Sequence, residues 1–143
     1  MLRTAFALLV LALCAPAVRA AEVTLVLAGL ASADGEVQVD VFAEANAANF
    51  PYPDAGVLAE IRQPASAGAV IRLGELAPGR YALFAMHDAN GNGDLDRNFL
   101  GIPIEDYGFS NGARGVVGPP SFDAAAITVH AGAPIRVEIV LGH

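Results

Sequence analysis

Val37-Gln38-Val39-Asp40-Val41-Phe42 alternates apolar and polar side chains, and that alternation decides the fold class. A period of two places Val37, Val39 and Val41 on one face of an extended chain, so a strand with its valines turned into a core is predicted. Upstream lie a turn at Ala33-Asp34-Gly35 and a second strand-forming run, Val23-Thr24-Leu25-Val26-Leu27. Downstream, Asn49-Phe50-Pro51-Tyr52-Pro53-Asp54 holds two prolines and cannot supply a central strand. Further strands are expected from Ala59 to Arg62 and from Ala69 to Leu73. In Leu76-Ala77-Pro78-Gly79-Arg80-Tyr81-Ala82-Leu83-Phe84-Ala85-Met86-His87, Pro78-Gly79 makes a turn and Tyr81 opens a strongly apolar strand. Ala125 to His130 and Ile135 to Leu141 read as a closing hairpin around Ala131-Gly132-Ala133. About seven short strands and no convincing helix predict an all-β chain folded as an antiparallel, Ig-like β-sandwich.

Arg97 to Asp123 breaks the rhythm, with Gly101, Gly108, Gly112, Gly115 and Gly118 among Pro103, Pro119 and Pro120. Connections of that length are functional or disordered. Phe99, Leu100, Tyr107, Phe109 and Phe122 give this one apolar groups to bury, so residues 97–123 are expected to form an ordered loop or lobe packed beside the acidic loop that follows His87.

Residues 1–20 read as a secretory signal peptide: Arg3 supplies the positive end, Ala5 to Ala15 the apolar stretch, and Val18-Arg19-Ala20 the cleavage site, placed after Ala20. A single domain, 21–143, remains, expected in the periplasm or secreted, with no membrane span in the mature chain. Cys14 leaves with the signal, so stability must come from packing, helped by any bound metal. Every basic side chain is arginine, and the chain carries a net charge of −7. An acidic, lysine-free surface excludes nucleic-acid binding and lysine-nucleophile chemistry, and favours cations.

The stretch His87-Asp88-Ala89-Asn90-Gly91-Asn92-Gly93-Asp94-Leu95-Asp96 carries the most chemistry. Asp88, Asn90, Asn92, Asp94 and Asp96 fall on alternate positions, a spacing that lets a short loop wrap oxygens around a hard cation such as Ca²⁺. Against the EF-hand loop, Asp88, Asn90 and Asn92 fill positions one, three and five, with Gly93 at the sharp turn and Leu95 at position eight. Phe99 stands where the closing bidentate glutamate would be, and no helices flank the loop. Completion would fall to Glu105 or Asp106, and affinity would lie in the weak extracellular range, about 10⁻⁴ to 10⁻³ M. Asn90-Gly91 and Asn92-Gly93 are also strong turn formers, so the competing reading is a bare hairpin tip.

Other residues carry weaker signals. His87 beside Asp88 has the composition of a general base with an orienting carboxylate, the basis for an alternative reading as a small periplasmic enzyme. Ser110 and Ser121 sit in no nucleophile elbow. Tyr107, Phe109 and Arg114 offer a ligand surface, two rings for stacking and a guanidinium for an anion. Their plainer roles are lobe core for the rings and, for Arg114, a salt bridge to one of the abundant acids, such as Asp94 or Asp96.

The runs Leu76 to Tyr81, His87-Asp88-x-Asn90-Gly91-Asn92-Gly93-x-Leu95-Asp96, Asn98 to Pro103, Tyr107 to Asn111, Ala113-Arg114-Gly115 and Gly118 to Phe122 together carry a family resemblance. They resemble the bacterial exported family called domain of unknown function 2141. The resemblance implies an exported β-sandwich of the prealbumin or carboxypeptidase-regulatory type, brings no activity with it, and makes Phe99 part of the pattern. The expected function is a non-enzymatic binding module for a cell-envelope glycan or protein, with Ca²⁺ held at Asp88 to Asp96. A purely structural envelope module without metal is the remaining alternative.

Overall fold

The structure, a computed structural model, describes residues 17–143; the signal-peptide reading of residues 1–16, with Arg3 and Cys14, lies outside the described residues. Eight strands form two sheets: β1 (Ala21–Ala28), β2 (Glu36–Ala43), β3 (Ala59–Pro64), β4 (Val70–Leu76), β5 (Gly79–Asp88), β6 (Tyr107–Phe109), β7 (Ile127–Val129) and β8 (Ile135–Val140). One sheet has the order β4-β1-β8; the other runs β3-β2-β5-β6, with β7 also on β5. The all-β sandwich is as the alternation predicts. Val37, Val39 and Val41 are fully buried against Val23, Leu25 and Leu27 of the facing sheet.

Three expectations are corrected. The last strands are not a hairpin: β7 joins β5 at Gly79 to Tyr81, while β8 joins β1 in the other sheet. Without β8, β1 would keep an open edge beyond β4, so Ile135, Val137 and Ile139 cross over to close it. That pairing is parallel, so the sandwich is not wholly antiparallel. Residues 97–123 are ordered but not strandless, since β6 pairs with β5 opposite Phe84 and Met86.

β2 and β5 are buried on both faces. The inner faces build the sandwich core. The outer residues Phe42, Ala82, Phe84 and Met86 form a second core with Phe50, Phe109, Phe122 and Ala125. Its rings meet edge-on, Phe42 to Phe50 at 5.2 Å and Phe50 to Phe122 at 6.1 Å, contacts worth about 0.5–1.5 kcal/mol each beyond burial. The one-turn helix α1 (Phe122–Ala125), capped by Ser121 Oγ, delivers Phe122. Arg80 clamps this layer, bonding Glu44 and Asp123 at 2.6 Å each.

Ser110, fully buried, fills the gap on β5 between β6 and β7. Its Oγ accepts from Leu83 N (2.9 Å) and donates to Ala125 O (2.5 Å), a structural role at the sheet edge.

Gly35, in the turn before β2, has φ +66°, and a Cβ there would run into the Asp88 and Ala89 carbonyls. Gly35→Ala is therefore expected to cost about 2–4 kcal/mol in urea unfolding, against about 1 kcal/mol for Gly68→Ala, which shares φ +66° in open space. Equal costs would show that the turn does not seat on the start of the acidic loop.

Candidate functional site

β5 ends at Asp88, which faces outward like Met86 and is fully buried. Its Oδ1 accepts from the N–H groups of Gly91 (2.8 Å) and Asn92 (3.1 Å), and its Oδ2 from Gly93 (2.7 Å). Gly91 and Gly93 take positive φ, 72° and 84°, which lets the loop curl over that carboxylate. Asn90 Oδ1 accepts from Asn92 N, and Asn92 Oδ1 from Asp94 N. The two amide nitrogens converge on Asp96, Asn90 Nδ2 on Oδ2 (2.6 Å) and Asn92 Nδ2 on Oδ1 (2.9 Å).

Of the two candidates to complete the loop, Glu105 folds back. Its Oε1 accepts from Ala89 N and its Oε2 from Asp96 N, both at 3.0 Å, stapling the two ends of the loop together. Asp106 does not: its Oδ1 takes His143 Nδ1 at 2.6 Å. The structure thus joins Asp88, Asn90, Asn92, Asp96 and Glu105 in one ring. Asp94 stays exposed, tied only through its N–H to Asn92. Carboxylates alone do not converge: among the described residues no three His, Cys, Asp or Glu side chains gather into a metal-holding group. An ion here would need the asparagine oxygens.

His87 and Asp88 are consecutive in a strand and point to opposite faces. His87 is buried on the sandwich side, its Nε2 donating to Asp34 O at 2.7 Å. The pair is not brought together. Arg114 is exposed and makes no ion pair among the described residues, so the predicted bridge to Asp94 or Asp96 does not form. It borders a cavity of about 360 Å³ with Tyr107, Phe109 and His143. Phe109 is buried in the second core and Tyr107 half-buried beside it, so their rings serve the lobe first.

Sequence reasoning missed a larger feature, a groove of about 1220 Å³ on the outer face of the larger sheet. Strand register lays its floor out in two rows, Glu60–Asp40–Phe84–Phe109 and Arg62–Gln38–Met86–Tyr107, charged at the β3 side and aromatic at the β6 side. Asp40 is fully buried, and its two oxygens accept only from Gln38 Nε2, at 3.1 and 3.2 Å. Burial lifts its carboxyl from 3.8 to about 6; the Gln38 bond and Arg62 oppose the rise, and Glu60 adds to it. The usable signal was the run Tyr81 to Met86, apolar at every position, which marks a strand buried on both faces and therefore neighbours buried likewise.

A two-sheet sandwich with an asparagine- and aspartate-built loop at a strand end defines the class of protein. Residues 25–136 match the family described as "Uncharacterized protein conserved in bacteria (DUF2141)", and the chain belongs to that family. No curated protein and no solved structure matches it.

A carboxyl raised from 3.8 to about 6 holds its proton more tightly folded than unfolded, so stability falls as pH rises through that window, by on the order of 3 kcal/mol in total. Asp40→Asn removes the buried charge and is expected to stabilise the protein by about 1–3 kcal/mol at pH 7 and to do little near pH 4. Urea unfolding at both pH values checks this, and a gain that does not depend on pH would contradict it. Glu105→Gln turns an amide donor toward a backbone N–H and is expected to cost about 1–3 kcal/mol in the same assay.

Proposed function

We propose that this chain is an exported, non-enzymatic β-sandwich binding module that holds Ca²⁺ in the Asp88–Asp96 loop. Its lobe side would face a cell-envelope glycan or protein. The observation that carries the metal reading is the ring of five ligand-type residues closed by Glu105, which reaches back from outside the loop. Asp88, Asn90, Asn92, Asp96 and Glu105 supply carboxylate and amide oxygens, the hard donors calcium takes. Asp88 Oδ1 already accepts two backbone N–H groups, whereas Asp88 Oδ2, the Asn90 and Asn92 Oδ1 atoms and both Glu105 oxygens accept one each and keep a second lone pair. The Asn90 and Asn92 amide nitrogens now supply the positive pole that Asp96 faces, and a cation would take over that role. Displacing those two bonds weakens binding, in keeping with the extracellular range of about 10⁻⁴ to 10⁻³ M. Support for export is the signal-like residues 1–20, which end one residue before β1 begins at Ala21.

A second reading has its own support. The loop's hydrogen bonds close on themselves, so it also suits a structural envelope module whose loop is only a turn.

Calorimetric titration of the purified protein with calcium separates the two. The binding reading expects heat, a melting temperature several degrees higher at about 10 mM calcium, and loss of both in Asp96→Ala. Asp94→Ala, outside the ring, is expected to retain them. No heat and no melting shift leaves the turn reading standing.

A further inference from the structure

We propose that the groove on the outer face of the larger sheet binds a small amphiphilic ammonium ion. Its N–H donors would reach Gln38 and Asp40, and its apolar body would lie toward Tyr107, Met86 and Ile102. Gln38 is 3% exposed and its Oε1 has no hydrogen-bond partner, the one such buried side-chain atom among the described residues. A buried acceptor left unpaired pays its desolvation cost without return, which a ligand donor would recover. Beside it lies the Asp40 carboxylate, buried with a single amide partner. Two adjacent acceptors call for donors, and a buried anion calls for a positive charge.

Charge and shape agree. Asp40, Asp54, Glu60 and Asp94 line the groove against Arg62 and Arg97 alone, on a chain of net charge −7. Tyr52, Ile102 and Val116, large apolar side chains 60%, 55% and 101% exposed, stand along the same groove and would cover the ligand's hydrocarbon. Arg62, the cross-strand neighbour of Gln38, is a half-exposed side chain held by surface ion pairs to Glu36 and Glu60, a weak tether for a group bordering the groove. A neutral polyol would satisfy Gln38 but leave Asp40 uncompensated. This assignment rests on the reading of the chain as a binding module, though not on its calcium.

Calorimetry with n-hexylammonium, 1-hexanol and hexanoate, each in calcium and in EDTA, tests it. Hexylammonium is expected to bind at least about tenfold tighter than hexanol, with hexanoate silent. Asp40→Asn, expected above to be the more stable protein, should bind hexylammonium no better than hexanol, and Gln38→Leu should weaken it about tenfold. Hexanol binding as tightly as hexylammonium, an unchanged Asp40→Asn, or no hexylammonium binding at all would overturn the proposal. Hexylammonium binding without any calcium response sinks the calcium reading alone, and the reverse result sinks the groove alone.

Discussion

The strand pair β2–β5 has no face left for water, and the rest of the molecule answers to that constraint. A two-sheet sandwich covers only the inner face. The outer residues Phe42, Phe84 and Met86 would otherwise present a continuous apolar strip, and burying a large side chain of this kind is worth about 1.5–3 kcal/mol. The segments that break the strand pattern, 44–58 and 97–126, supply the cover. Phe50 comes from the first, and Phe109, Phe122 and Ala125 from the second. The edge of β5 is finished in the same way, by two three-residue strands and the Ser110 hydroxyl between them.

Cover brings a polar consequence. In a one-sided sheet Gln38 and Asp40 would sit in water opposite the valines. Here they are buried at the groove floor, at 3% and 0% exposure. The cost appears twice, as a carboxyl lifted to about 6 and as an amide oxygen without a partner. Apolar residues of similar volume would have packed here without either penalty. Buried polar groups that weaken a fold while bordering a groove have the signature of a site.

The strands were legible because alternation is a local property: β1, β2, β4 and β5 fall where Val23–Leu27, Val37–Phe42, Ala69–Leu73 and Tyr81–His87 predicted them, within a few residues. Sheet membership is not local. Ile127 and Val129 read like one arm of a hairpin with Ile135 to Leu141, yet the free edges of β5 and β1, distant in sequence, claimed one arm each. The acidic loop was legible in composition and only partly in geometry. Spacing picked out Asp88, Asn90, Asn92, Asp94 and Asp96; the fold ties Asp88, Asn90, Asn92 and Asp96 together through their side chains and leaves the Asp94 side chain exposed. Glu105 turns back to the loop while its neighbour Asp106 bonds His143, a partner 37 positions away that local spacing does not reveal. Gln38 and Asp40 were hidden because a polar residue on an alternating strand reads as solvent-facing until something is known to lie over it.

Loop and groove are neighbours for a structural reason. β5 carries Phe84 and Met86 into the groove floor and then Asp88 into the loop, and Gly93, Asp94 and Leu95 return from the loop as part of the groove's wall. The three N–H groups on Asp88 and the two on Glu105 bind that wall to the end of β5 and to the chain entering β6. Arg62 stands beside the same wall: a Cβ added at Gly93 would lie 3.3 Å from its guanidinium, which pairs with Glu36 and Glu60. The loop's internal hydrogen bonds therefore do more than close a turn: they fix one side of a groove whose floor is set by strand register and whose other walls come from the covering layer.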